Sequence, residues 1–246
     1  MKAIPAKVSI GAVLAVALLT AGCTINANLP SGPLQTETRT VQLGEAKTVR
    51  AEIKMRAGEM TLGGGAHDLF EGEFAYNVPR WKPEVDYSVS GSRGLLTIRQ
   101  PETPGPMGNR KYRWDLHFNN QVPLELSVEL GAGKSTLDLG TLALSRLDVK
   151  MGVGETIVNL AGNWKNDLQA SIHGGVGQAT VKLPEDVGVR VRARGGIGEI
   201  RAGELHRQGD IYTNDAYGKS PVTLDVDVEG GIGQINLEIG EGPEVI

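Results

Sequence analysis

An all-β fold is what this sequence predicts, in the form of an elongated, repetitive β-solenoid of short stacked rungs, and three observations carry the prediction. The first is repetition: "GAGKSTLDL" at residue 131 returns as "GVGETIVNL" at 152, "GVGQATVKL" at 175, "GIGEIRAGEL" at 196 and "GIGQINLEI" at 231. The second glycines of these units lie 21, 23, 21 and 35 residues apart, and a recurring interval of this size marks stacked supersecondary units. The second observation is period-two order ahead of each glycine pair, in "LELSVEL", "LDVKM", "LQASIH", "VRVRAR" and "LDVDVE". In the fourth of these, Val189, Val191 and Ala193 share one face and Arg190, Arg192 and Arg194 the other, which is the spacing of a strand. The third is composition: 34 glycines, 4% aromatic residues and almost no helix-forming stretch after residue 22.

From the N-terminus, residues 1–22 read as a lipoprotein signal peptide. Lys2 and Lys7 precede an uncharged run from Val8 to Gly22, which is shorter than the roughly 20 residues a spanning helix needs and suits a secretory signal. The single cysteine, Cys23, follows Leu19-Thr20-Ala21-Gly22. That stretch resembles the bacterial lipobox, and the resemblance implies cleavage before Cys23 and a lipid on its thiol. The implied destination is secretion and membrane anchoring on the extracytoplasmic side. Without the two leader lysines the formal charge moves from −4 to about −6, with no basic stripe for nucleic acid. No disulfide can form within a chain that has one cysteine. Residues 23–40, with Pro30, Ser31, Gly32 and Pro33, read as a flexible tether.

Residues 41–122 have strand character and hold most of the aromatics, with "TVRAEIKMRAGEMTLGGG" as an early, imperfect rung. Residues 123–246 carry the regular rungs. Their paired glycines are Gly131 and Gly133, Gly152 and Gly154, Gly175 and Gly177, Gly196 and Gly198, and Gly231 and Gly233. They are read as corners that need positive φ or close backbone approach. Each buried Val, Leu or Ile contributes about 1.5–3 kcal/mol, and no rung can complete its interior alone.

"YNVPRWKPEVDYSVSGSRGLLTIRQPE" followed by "WDLHFNNQVPLELSVELGAG" resembles the toast-rack N-terminal domain of bacterial envelope proteins. The Gly-x-Gly rungs, among them "GVGQATVKLPEDVGVRVRARGGIGEI", are similar to the C-terminal domain of the LiaF-like, cell-wall-active antibiotic response family. The resemblance implies an elongated all-β fold, a part in sensing or tuning envelope stress, and no catalytic residues. The chain departs from the membrane-embedded members of that family in carrying a lipobox in place of several transmembrane helices, so it need not share their regulatory partner.

"GAGKST" looks like part of a phosphate-binding loop, but Val128 stands where the earlier glycine is needed, and the chain alternates as a strand after Lys134. Nucleotide binding is therefore not expected. "GGVGQA", "GGIGEI" and "GGIGQI" resemble a calcium nonapeptide but carry Ala179, Ile200 and Ile235 in the ligand position, and an apolar side chain cannot ligate a hard cation. His67, His117, His173 and His206 are scattered, and Asp225, Asp227 and Glu229 fit a solvated sheet face. No metal or cofactor is expected. The 35-residue interval contains "HRQGDIYTNDAYGKSP", either a cap or a recognition loop offering Tyr212 and Tyr217. Trp81 and Trp114 are either a sugar-stacking patch or core.

The expected function is that of a non-enzymatic, lipid-anchored envelope scaffold or sensor that contacts another envelope protein or a wall component. An adhesin-like or polysaccharide-binding module is the alternative, and a glycan-cleaving β-helix enzyme stands third.

Overall fold

A computed structural model describes residues 32–101 and 111–240; the signal peptide, Cys23 and most of the tether lie outside them. The described chain is all β apart from a 3-10 turn at Pro79–Trp81. Its framework is six long strands: β2 (Thr48–Gly64), β7 (Leu124–Asp138), β8 (Leu144–Asn159), β9 (Leu168–Pro184), β10 (Gly188–Arg201) and β13 (Thr223–Gly240). They pair in parallel in the order β2-β7-β8-β9-β13-β10. The solenoid expectation therefore holds, with a sheet of 13 strands as its form.

Every long strand is two arms joined at a glycine corner, and burial shows why the corner is needed. In β7 the buried residues are Leu124, Leu126, Val128 and Leu130 before it and Ser135 and Leu137 after it. The inward positions thus change from even to odd numbers. Only a residue that breaks the two-residue period lets both arms turn their apolar side chains into the same interior. Gly133 (φ 135°), Gly154 (137°), Gly177 (136°), Gly233 (137°) and Gly198 (148°) make this break, and Gly58 makes it in β2. They stack in register across the rack, Gly58 against Gly133, then Gly154, Gly177, Gly233 and Gly198.

The first glycine of each pair answers to a neighbour. A Cβ on Gly152 would sit 2.3 Å from the carbonyl oxygen of Gly131, and one on Gly131 would sit 2.3 Å from that of Arg56. Among the described residues no strand precedes β2 at its corner, and the same slot accepts Arg56. There Gln100 takes the place of a rung: its Oε1 accepts from the backbone N–H of Arg56 (2.8 Å) and of Ala57 (3.2 Å). Buried N–H groups left without such a partner would each cost about 1–3 kcal/mol.

At the N-terminal end the arms receive separate strands. β5 (Arg93–Arg99) and β4 (Glu84–Ser90) extend the first arms, while β6 (Tyr112–Phe118), β3 (Phe70–Tyr76) and β1 (Gln35–Val41) extend the second. Aromatic side chains fill this end, with Phe74 edge-on to Trp114 at 5.5 Å and Trp81 edge-on to Tyr112 at 5.5 Å. The Tyr112 hydroxyl donates to the Trp81 carbonyl at 2.7 Å, and burial pushes its phenol well above the ordinary value. β1 begins inside the stretch that reads as tether, because its sequence "QTETRTV" is exposed except at the half-buried Glu37 and Val41 and shows no apolar alternation. Its seven in-register pairs with β3 hold it instead. The sheet also runs unbroken past residue 122, since β2 pairs with β7 from Val49 with Leu124 to Leu62 with Leu137.

The last rung does not go last. β13 lies between β9 and β10, so the short connector 185–187 steps over one strand position, which β13 fills after a detour. The detour contains β11 (His206–Gln208) and β12 (Ile211–Thr213), a hairpin that pairs antiparallel with Arg190–Arg192 of β10. Asn214, buried just beyond it, ties the connector down. Its Nδ2 donates to the carbonyls of Pro184 (3.1 Å), Glu185 (3.1 Å) and Val187 (2.7 Å), and its Oδ1 accepts from the Val189 N–H (3.0 Å). Asn214→Ala is expected to lower stability by about 1–3 kcal/mol in urea unfolding. Asn214→Asp loses more at pH 7, because a carboxylate would face three carbonyl oxygens. Its folded-state pKa is raised, so the unfolded state binds fewer protons above the ordinary value of about 3.9 and the deficit shrinks as pH falls toward it.

Candidate interaction surfaces

The outer face of the first arms is a charge ladder. Arg190 meets Asp225 at 2.9 Å, Arg192 meets Asp227 at 3.8 Å, and Arg194 pairs with Glu229, which also lies 3.2 Å from His173 Nδ1. Asp225, Asp227 and Glu229 are thus brought together, each against an arginine of the neighbouring rung. The arrangement neutralises charge and holds β10 to β13.

The corners present a different surface. The residue between the two glycines points out of the rack, and register aligns Ala57, Ala132, Val153, Val176, Ile232 and Ile197 in one row. Val153 (54% exposed), Val176 (44%), Ile232 (52%) and Ile197 (72%) make its last four positions an apolar ridge. The position after the second glycine carries polar side chains, among them Lys134, whose Nζ lies 3.1 Å from Glu155 Oε2. β7 continues through Lys134 as a strand, so no helix follows the phosphate-loop-like string.

The connectors opposite the corners enclose a groove of about 820 Å³. Asn120, Gln121, Asn163, Trp164, Asn166 and Asp186 are among its lining residues. Trp164 is half-buried, anchored by its indole N–H donating to the Leu160 carbonyl at 2.7 Å. Flat amides and acids beside an aromatic ring are the side chains that hold hydroxyl-rich, flat-faced ligands. Sequence reading missed this site because its residues come from four connectors that carry no shared motif; the lone tryptophan in "AGNWKND" was the available signal.

Trp81 and Trp114, the sugar-stacking candidates, are both buried in the aromatic end. Tyr212 is buried beneath Arg207, whose guanidinium carbon lies 5.5 Å from its ring, while Tyr217 is exposed. In the same segment His206 Nε2 is 2.6 Å from Asp215 Oδ1, and that hydrogen bond holds the Asp215 carboxyl below its ordinary range. The positions where a calcium motif needs its ligand face the interior: Ala179 and Ile235 are buried, and Ile200 packs against the core. Among the described residues no group of three or more His, Cys, Asp or Glu could hold a metal ion, and no helix is long and apolar enough to cross a membrane.

This geometry has relatives. The chain is similar to the crystal structure of a candidate cell adhesion protein from Clostridium sporogenes, with 31% identity and a TM-score of 0.80 over 85% of this chain and 100% of that one. A candidate adhesin from Bacteroides fragilis is 15% identical over 85% of this chain and 98% of its own, with a TM-score of 0.35. No curated protein matches. The family described as the N-terminal domain of toast_rack, DUF2154, matches residues 30–182, more than half of the sequence, and the chain belongs to that family.

Proposed function

We propose that the chain is a non-enzymatic, adhesin-like binding module of the cell envelope, carried on the extracytoplasmic side by a lipid on Cys23, and that the connector groove takes a polysaccharide. The observation that carries this reading is the groove, where Trp164 and the amides of Asn120, Gln121, Asn163 and Asn166 converge on a rigid frame. Such a frame positions connector side chains at low entropic cost. The likeness to the Clostridium protein supports the adhesive role. Co-sedimentation with insoluble cell-wall polysaccharide tests it: the chain is expected in the pellet, and Trp164→Ala or the exposed Asn166→Ala weakens retention at least about tenfold. A wild-type chain that stays in the supernatant with every glycan preparation refutes the reading.

A second reading rests on the apolar ridge at the corners, which suits a protein contact. With the likeness of the Gly-x-Gly rungs to the LiaF-like domain, it gives a scaffold or sensor for envelope stress. Cross-linking in cells separates the two, since recovery of a membrane regulator favours the sensor and recovery of glycan alone the adhesin.

A further inference from the structure

β10 is the end of the rack, and its two arms end differently. Along the first arm β12 covers Arg190–Arg192, and the Ala193 N–H donates to the Asp210 carbonyl at 2.9 Å. Along the second arm β13 pairs with the inner edge from Ile197 to Arg201, and among the described residues no strand pairs with the outer edge. An open edge is a row of N–H and C=O groups ready to accept another strand. Natural sheets cover such edges or break them with charge, proline or a bulge. Among the described residues a strand covers this edge on the first arm alone.

The side chains along this edge select their occupant. Glu199 and Arg201 lie on the exposed face, with Arg201 Nη2 2.8 Å from Glu199 Oε2, while Ile200 points to the other face and packs against the core. We infer that this edge pairs with the same edge of a second copy of the chain, antiparallel and centred on Ile200. In that register Glu199 lies opposite Arg201 of the second copy, and Arg201 opposite its Glu199. The four charges alternate around a square, as opposed cross-strand pairs favour. Moving the centre to residue 199 sets glutamate against glutamate, and moving it to 201 sets arginine against arginine. A shift of half that size places inward residues opposite outward ones. One register therefore satisfies both faces, and it is self-complementary, as a two-fold interface requires.

The same register brings Ile200 against Ile200 and joins the two second-arm sheets and their interiors. β10 ends at Arg201, so the directly paired positions are 199–201, and Ile197, the most exposed residue of the corner ridge at 72%, flanks the contact. The contact is one short strand wide, which makes it a weak, concentration-dependent dimer in the lower class of interface sizes. The inference is independent of the groove and of the ligand it takes.

The full chain in detergent, followed by sedimentation over a concentration series, tests the pairing. A monomer–dimer equilibrium is expected. Glu199→Arg and Arg201→Glu, both at exposed positions, should each weaken it at least about tenfold, and the double exchange Glu199→Arg with Arg201→Glu should restore it. In cells, Ile200→Cys is expected to give a disulfide-linked dimer on non-reducing gels, since directly opposed residues fall within bridging distance. Glu199→Cys and Arg201→Cys should not link to themselves. Three outcomes overturn the proposal: a chain that stays monomeric at every concentration, a dimer indifferent to both single exchanges, or cross-linking through Glu199→Cys in preference to Ile200→Cys. An edge occupied by a segment of some other protein would appear as the first of these.

Discussion

Gly177→Ala is expected to remove at least about 4 kcal/mol of stability, a large share of what a domain possesses, and to leave much of the chain unfolded at 37 °C. Two costs add at this position. The backbone φ of 136° disfavours any side chain, and a Cβ would lie 1.8 Å from the Gly154 carbonyl oxygen. Relief by a local shift is blocked on the other side, where Gly233 approaches just as closely, its own Cβ position lying 1.7 Å from the Gly177 carbonyl oxygen. Moving one corner therefore displaces the column. Gly203→Ala is the control, since nothing lies within 4 Å of its Cβ position, and its effect should stay within about 0.5 kcal/mol. Urea denaturation followed by far-UV circular dichroism measures both, and a Gly177→Ala midpoint close to the wild-type value would contradict the corner account.

A chain ending at Val222 is expected not to fold between β8 and β12. In a solenoid whose rungs follow chain order, removing the final rung trims the end and leaves the others paired. Here β13 sits between β9 and β10, so its loss opens two facing edges inside the sheet and leaves β10 without a long partner. The buried side chains of Leu224, Val226, Val228, Ile235 and Leu237 go with it. At about 1.5–3 kcal/mol each, they are together comparable to the whole stability of a typical domain. Limited proteolysis should cut the shortened chain within residues 160–222 under conditions where the full chain resists, and a protected β9–β10 region would show that these strands can pair directly.

Rungs, corners and inward residues were legible in the chain. The aliphatic alternation in "LDVKM" or "VRVRAR" reports a half-buried strand wherever that strand lies in the sheet, because the two-residue period is a property of the backbone. Gly-x-Gly was readable as a corner for the same kind of reason, since the break in period is visible in the letters themselves. β1 was not legible: an edge strand that is mostly exposed has no apolar alternation, and its place is fixed mainly by its pairing with β3. The segment 206–221 could be read as a cap or as a recognition loop. The structure shows within it β11, β12 and the Asn214 clamp, none of which leaves a periodic trace in three-residue strands.

Of the binding surfaces, the sequence could supply only constituents. Trp81, Trp114 and Trp164 look alike as letters, and burial of two of them in the aromatic end while the third lines a groove follows from which connectors meet in space. By itself the sequence determined the rung, its inward side chains, its glycine corner and its membership of an all-β repeat, because these depend on residues close together along the chain. Tertiary structure alone decided that β13 lies inside β10, that the carboxylates of β13 face the arginines of β10, and that no strand among the described residues pairs with the outer edge of β10's second arm. Parallel rungs of nearly the same pattern can stack in more than one order, and the order is selected by connector reach and by what each end of the stack has left to cover it.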